Sequence, residues 1–488
     1  MIFQLLPLVF QKFKKDISKP VVLVISPLLS LIESTVKSCN DHTEYGLKAV
    51  ALDSQKYKAI AKGEYNVVIG TPEAFIQQKR WREMLSTTFY VKNTVCLVVD
   101  EAHKVTWGEA SGKQAPFRKS FARINELRSL CRINLPVLAL SATVDLDITQ
   151  FIKASCNLSS SLNVISECVD RDNLCLHVVR LETRSVSSLD WILNGLKEHG
   201  SSFPKVLIYC RSIWRLSAII DDFIDRGILS RTLVRRYMKV FISSSFDSDK
   251  KKALQSLLEE SNTRVVIATS ALGCGVNAKD VEYIIHFGPA YDTVDYVQQI
   301  GRGGRLTDSG AEPRKCQAIL YTYPGCKGGH VSTRMKEYLD EAGNSCLRVK
   351  LFSPLNPVDT EIKPSQPGHD CCSYCASKCA CTGDSGNVCS KCESFIFLPK
   401  KIEPSVTGNE LSSFRDVDAD EAELVRELLV DFAKKTTSEM ATILPNESIS
   451  GLTTHTIDGI IGNIHLLTSK ESIFEKTSVV SERLALSL

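Results

Sequence analysis

Short runs rich in Val, Ile and Leu recur along this chain, and each stops abruptly at small or polar residues. Val21–Ile25 ends at Ser26-Pro27, Val67–Ile69 at Gly70-Thr71-Pro72, Val95–Val99 at Asp100-Glu101, and Val137–Leu140 at Ser141-Ala142-Thr143. A second set comprises Val206–Tyr209 before Cys210-Arg211-Ser212, Val265–Ala268 before Thr269-Ser270, Ile284-Ile285 before His286, and Ala318–Tyr321. Strands buried on both faces read as continuous apolar runs, so these runs, with helical spacing between them, predict two α/β domains with parallel sheets. In such sheets ligands bind outside the carboxyl ends of the strands, which is where the polar groups fall.

The length of 488 residues, with 43% hydrophobic and 24% charged residues, suits a multidomain globular protein. Lys and Arg total 59 against 56 acids, for a net charge of +3, which does not indicate a polybasic mode of binding. Contact with nucleic acid has to come from a local groove. Gln4 and Pro7 interrupt the apolar start Ile2–Phe10, which predicts a helix and not a signal peptide. No apolar run approaches the ~20 residues that span a bilayer, so a soluble intracellular protein with no membrane partner is expected. Of the 18 cysteines, those from Cys39 to Cys346 are scattered while the rest crowd between Cys371 and Cys392. That distribution fits a reducing compartment and one local metal site better than a disulfide framework.

Residues 354–392 are rich in Pro, Gly, Ser and Cys and too poor in apolar residues to form a core. Helical spacing returns at 418–435 and, more weakly, at 457–467. The expected organisation is a first α/β domain over 1–165, a second over 166–335, a zinc-binding subdomain over 336–395, and a helical or partly disordered tail over 396–488.

Asp100-Glu101-Ala102-His103 directly follows the run Thr94–Val99. A nucleotide hydrolase needs one carboxylate near its metal and another for the attacking water, and adjacent residues at a strand end can aim both into one crevice. The bland alternative is a helix cap with acids at the dipole. Gln298-Gln299-Ile300-Gly301-Arg302-Gly303-Gly304-Arg305 sets two arginines three apart among glycines, a pattern suited to clamping phosphate. Ser141–Thr143 and Thr269–Val276 are weak signals singly and strong in this order.

Together these motifs resemble the RecQ-like branch of superfamily-2 DNA helicases, from Met1 to about Cys381. Ser26–Leu31, Thr71–Glu73, Asp100–His103, Ser141–Thr143, Tyr209–Ser212, Thr269–Val276 and Gln298–Arg305 are similar to family motifs Ia, Ib, II, III, IV, V and VI. Arg171-Asp172-Asn173-Leu174 is similar to the segment opening the second motor domain. A DEAD-box RNA helicase fits less well, because His103 closes motif II and a zinc segment follows the motor.

The resemblance implies two RecA-like domains and an ATP-dependent 3′ to 5′ DNA helicase, a hydrolase and isomerase of the nucleus acting in DNA repair and recombination. It implies ATP, Mg²⁺ and Zn²⁺ as cofactors. The partner would be DNA, single-stranded or with a single-stranded 3′ tail; protein partners are left open. Asp100, Glu101, Arg302 and Arg305 would be catalytic, and His103, Ser141, Thr143 and Gln298 would couple nucleotide state to DNA. Ser26, Thr71, Trp107, Phe117, Arg118, Arg211 and Thr269 would meet nucleic acid, with Trp107 and Phe117 either stacking on bases or packing into the domain. Cys346, Cys372, Cys375 and Cys379 would hold Zn²⁺, with Cys371, Cys381, Cys389 and Cys392 as rival ligands.

Three departures stand out. Asn277 and Phe241-Ile242-Ser243 differ from the family's usual residues. The family's Gly-x-Gly-Lys-Ser/Thr phosphate loop precedes a helix similar to Ile2–Pro7, and the sequence starts at that helix. Either a start has been lost, so that the first domain is truncated, or this is a short product that binds DNA as a non-hydrolysing or scaffold protein. On both readings weak ATP turnover is expected.

Overall fold

The computed structural model describes residues 2–14, 17, 19–41, 45–108, 116, 118–159, 161–242, 252–253, 255–257, 261–269, 272, 280–305, 314–328, 331–356, 361–379, 381, 425–432 and 454–462. They fall into two compact units, Met1–Val169 with Pro354–Thr360, and Asp170–Ser353 with Glu361–Leu488.

The first unit carries β1 (Val21–Ile25), β2 (Ala49–Ala51), β3 (Val67–Gly70), β4 (Thr94–Val99) and β5 (Val137–Ala139). They form one parallel sheet in the order β2-β3-β1-β4-β5. The strand period of two explains the unbroken apolar runs. Val21, Leu23 and Ile25 join Trp81, Tyr90 and Leu97 in one core, while Val22 and Val24 join Phe3, Ile32 and Val98 in another on the opposite face. Each such side chain contributes about 1.5–3 kcal/mol by burial, so a polar residue in these runs would be costly on either face. The apolar start forms a 3₁₀ turn, Ile2–Leu5, and a helix, Leu6–Phe13, anchored by the fully buried Phe3.

Hydrogen bonds continue past the strand ends. Ser26 N donates to Gly70 O at 3.0 Å, Asp100 N to Ile25 O at 2.9 Å, and Ala102 N to Leu140 O at 2.8 Å. The polar residues that end β1, β3, β4 and β5 are thereby laid side by side.

The second unit carries β6 (Leu174–Arg180), β7 (Lys205–Cys210), β8 (Met238–Phe241), β9 (Val265–Ala268), β10 (Val281–Phe287) and β11 (Cys316–Thr322). Their parallel order is β6-β11-β10-β7-β9-β8. Two histidines sit within the strands and each is met by a glutamine: His286 Nε2 lies 2.7 Å from Gln299 Oε1, and His177 Nε2 lies 2.7 Å from Gln317 Oε1. Burial pushes both imidazoles down to about 4.

The cysteine segment packs on β6. Cys372 bridges Leu176, and Cys175 Sγ donates to His369 O at 3.2 Å. In the tail, 425–432 and Thr454–Gly462 are helical, and Arg426 Nη1 pairs with Asp458 Oδ1 at 2.7 Å; the remainder of 396–488 lies outside the described residues. Among the described residues no helix is long and apolar enough to cross a membrane.

Candidate active site and metal centre

Asp100 and Glu101 occupy the turn that leaves β4. Glu101 takes the left-handed conformation, φ 49°, a placement that costs about 1–3 kcal/mol for a non-glycine residue. It turns the chain so that Ala102 N reaches Leu140 O and the 3₁₀ helix Ala102–Gly108 can start. Burial raises the pKa of Asp100, opposed by the backbone amide of Glu101.

His103, on that helix, is 3% exposed. Its Nδ1 lies 2.9 Å from Ser141 Oγ and 3.5 Å from Glu101 Oε2. Burial, with the Lys104 charge, pushes the imidazole down to about 3, so it is neutral near pH 7 and its contact with Glu101 is no ion pair. Ser141 Oγ donates to Thr143 O at 3.1 Å. A hydroxyl has one proton, so the bonding pattern assigns the His103 proton to Nδ1, donating to Ser141. His103, Ser141 and Thr143 thus form one directed chain between the ends of β4 and β5.

The residues expected to meet nucleic acid are partly engaged within their units. Thr71 Oγ1 accepts from Ala74 N at 3.3 Å and caps the helix Pro72–Gln77. Arg118 Nε donates to Glu73 Oε1 at 2.9 Å, Nη2 donates to Glu73 Oε2, and Nη1 donates to Pro27 O. Burial works against ionisation of Glu73, but the Arg118 guanidinium and a backbone amide overcome it and hold the carboxyl below its ordinary value. Arg118 therefore pins together the segments that follow β1 and β3. Ser26, the first residue after β1, is buried, with its amide on Gly70 O. Trp107 packs edge-on against Phe121, with ring centroids 5.7 Å apart, and Lys104 Nζ lies 5.0 Å from its ring. Phe117 lies outside the described residues.

In the second unit, Arg211 Nη1 donates to Cys326 O at 3.1 Å, and its guanidinium lies 5.4 Å from the Tyr291 ring. Thr269 is buried at the end of β9, its amide on Phe241 O at 3.3 Å. Residues 270, 271 and 273–279, including Asn277, are outside the described residues. Gln298 is half-buried on the helix Thr293–Ile300. Its neighbour Gln299, which carried no separate signal in the sequence, holds His286.

Arg302 is buried, and Arg305 Nε donates to Gly301 O at 3.0 Å. Burial, then the Arg302 and Arg171 charges, lower the Arg305 pKa to about 10. The loop that carries them is clamped by the segment opening the unit: Arg171 donates to Gly301 O and Gly304 O at 2.9 and 2.7 Å, and Asn173 Nδ2 donates to Gly304 O at 2.7 Å. The sequence marked these residues only as a boundary; the structure gives them this work.

The cysteines gather differently from the expected set. Cys346, Cys371, Cys372 and Cys375 bring their sulfurs within 4.8 Å of one another, so Cys371 takes the place the sequence reading gave to Cys379. Cys379 lies instead with His369 and Cys381. The cause is the helix Leu347–Phe352, which Cys346 caps. Its fully buried Arg348 donates to Asp170 and to the carbonyls of Arg171 and Leu174, fixing Cys346 over the start of β6 beside the adjacent pair Cys371-Cys372. Cys389 and Cys392 lie outside the described residues.

A DEAD/DEAH box helicase family model matches residues 2–151, and a helicase conserved C-terminal domain model matches 187–307. The chain is similar to ATP-dependent DNA helicase Q-like 2 of Arabidopsis thaliana, 24% identical over 374 residues, covering 72% of this chain and 49% of that protein. It is also similar to ATP-dependent DNA helicase RecQ of Pasteurella multocida (strain Pm70), 26% identical over 308 residues, covering 62% of this chain and 43% of that one. The chain thus spans less than half the length of these curated relatives. A solved structure of Mss116p bound to ssRNA and AMP-PNP shares the fold, with a TM-score of 0.51 at 17% identity over 72% of this chain and 70% of that one. With both helicase models matched in order and RecQ proteins among its relatives, the chain belongs to the RecQ-like superfamily-2 helicases.

Proposed function

We propose that this chain is the motor of an ATP-dependent DNA helicase of 3′ to 5′ polarity, engaging single-stranded DNA or a single-stranded 3′ tail. The observation that carries the reading is the row formed by Ser26, Thr71, Asp100-Glu101 and Ser141, set side by side past the carboxyl ends of neighbouring parallel strands. Asp100 would hold Mg²⁺, since a cation beside a buried carboxyl favours its charged form. Glu101 would orient the attacking water, while Arg302 and Arg305 would meet the γ-phosphate. The directed chain from His103 through Ser141 to Thr143 would report nucleotide state to the DNA, with Gln298 serving the same coupling. Thr71, Arg211 and Thr269 would lie near the DNA backbone, with Arg118 acting through Glu73. A nuclear role in repair or recombination belongs to the same proposal.

Residues 1–488 contain no Gly-x-x-x-x-Gly-Lys-Ser/Thr. Positioning of the phosphates is most of phosphoryl-transfer catalysis, so this polypeptide would turn over ATP poorly while still binding DNA, which keeps the non-hydrolysing reading in view. DNA-stimulated ATPase and 3′-tailed duplex unwinding test the proposal: weak ATP turnover with salt-sensitive DNA binding is expected. Turnover like that of an intact helicase, abolished by Glu101→Gln, would overturn the account of the phosphate loop, and absence of DNA binding would overturn the motor reading.

Cys346, Cys371, Cys372 and Cys375 would hold Zn²⁺. Their sulfur–sulfur separations, 3.6 Å for Cys346–Cys371 and 3.9 Å for Cys346–Cys372, match the ~3.8 Å edge of a tetrahedron with Zn–S bonds of ~2.3 Å. When bound, the ion would supply the cross-links that a segment so poor in apolar residues lacks.

A further inference from the structure

We propose that a second Zn²⁺ ion is held by His369, Cys379 and Cys381, at a site separate from the Cys346 cluster. Cys379 Sγ lies 3.4 Å from Cys381 Sγ, and His369 Nδ1 lies 3.8 Å from Cys379 Sγ and 3.4 Å from Cys381 Sγ. Tetrahedral zinc with bonds of ~2.3 Å to sulfur and ~2.05 Å to nitrogen has edges of ~3.8 Å between sulfurs and ~3.6 Å between sulfur and nitrogen. The three atoms therefore describe one face of a tetrahedron to within a few tenths of an ångström. Three donors of the types zinc prefers converge here, and the first cluster has four thiolates without them.

The local fold makes this face. Gly368 opens the short helix Gly368–Cys371, and a Cβ built on it would stand 2.6 Å from Cys375 O and 3.4 Å from Cys379 Cβ. Only a residue without a side chain lets that helix lie against the Cys375–Cys379 turn, and this approach sets the buried His369 beside Cys379. The turn is closed by Lys378 N on Cys375 O and Cys379 N on Ala376 O, at 3.2 and 3.1 Å. His369 is fixed from behind by its carbonyl, which accepts from Cys175 Sγ on β6. Asp370 Oδ1 lies 3.9 Å from Nε2, the ring nitrogen not facing the thiols. That is beyond hydrogen-bond range, and the same carboxylate pairs with Lys315, so it is the facing of Nδ1 toward both thiols that marks Nδ1 as the ligand.

Three protein ligands leave one coordination position to solvent or an added thiolate, so this ion is held less tightly than one in a four-thiolate centre. The test measures zinc by elemental analysis on the reduced full chain and follows its release to a chromogenic chelator. Wild type should carry two equivalents released in two steps. Cys379→Ser/Cys381→Ser should carry one and lack the faster step. His369→Gln, which leaves every thiol in place, should lose the same equivalent and guards against misfolding of the double variant. A single equivalent in wild type that survives Cys379→Ser/Cys381→Ser would refute the second site and leave the Cys346 centre standing. A single equivalent lost in that variant would return Cys379 to the Cys346 centre, again refuting the proposal, as would two equivalents retained in it.

Discussion

His103 Nδ1 meets Ser141 Oγ at 2.9 Å, a side-chain bond that joins the turn after β4 to the end of β5 beside the backbone bond from Ala102 N to Leu140 O. Because the Ser141 hydroxyl donates its hydrogen bond to Thr143 O, neither partner can be replaced without leaving the other mispaired. Ser141→Ala should therefore lower stability by about 1–3 kcal/mol, the cost of a buried donor that has lost its acceptor. Urea melts measure this, and Ser141→Thr, which keeps the hydroxyl, should lose less. Equal midpoints for Ser141→Ala and wild type would show that the bond carries no weight.

The same histidine makes stability depend on pH. His103 is held at about 3, and His177 and His286 at about 4, against an ordinary value of 6.5. Between those limits the unfolded chain binds protons that the folded chain does not, so stability is full above about pH 6.5 and falls as pH drops toward 4 and 3. The thermal midpoint should decline from pH 7.5 to pH 5. His103→Asn, which keeps a donor near the Nδ1 position and cannot titrate, should flatten part of that slope. A wild-type midpoint independent of pH over this range would contradict the burial of these imidazoles.

Arg118 was legible as a basic residue in a loop, but its fork is committed to Glu73 and Pro27. If it acts by holding the segments after β1 and β3, Glu73→Gln and Arg118→Gln should weaken single-stranded DNA binding to similar extents. Both should leave the salt dependence of affinity unchanged, and a double-mutant cycle should give a coupling of about 1–3 kcal/mol. A direct phosphate contact predicts something else: only Arg118→Gln weakens binding, and it flattens the salt slope by about one unit.

What the sequence concealed follows a physical pattern. β1, β3, β4, β7 and β9 could be read because a parallel strand buried on both faces tolerates only apolar residues. The three strands it hid, β2, β6 and β8, all lie at sheet edges. Ala49–Ala51 is three residues long, Met238–Phe241 has a half-buried middle, and Leu174–Arg180 is broken by His177, whose cost is met by Gln317 far along the chain. In the site, the motif order was visible because those residues are local signals. The partners of Arg118 and Arg171 were not, since each pairs across the chain with a residue that is ordinary by itself. Cysteine spacing offered several equivalent ligand sets; the packing of Cys371-Cys372 on β6 beside the anchored Cys346, and of Gly368 against the Cys375–Cys379 turn, selects Cys371 over Cys379.

The loop bearing Arg302 and Arg305 depends on one backbone conformation. Gly304 sits at φ +54°, and a Cβ there would stand 2.4 Å from both Arg314 O and Asn173 Nδ2. Gly304→Ala thus combines left-handed strain with the displacement of Asn173, which itself donates to Gly304 O. The expected loss is about 2–4 kcal/mol in denaturant melts, large for the addition of one methyl group. One of the two obstructing atoms belongs to a side chain, so Asn173→Ala should relieve part of the clash. The double variant Asn173→Ala/Gly304→Ala should then be less destabilised than the two single losses combined, by about 0.5–2 kcal/mol. Strict additivity would mean that Asn173 does not clamp this loop, and the placement of both arginines would need another cause.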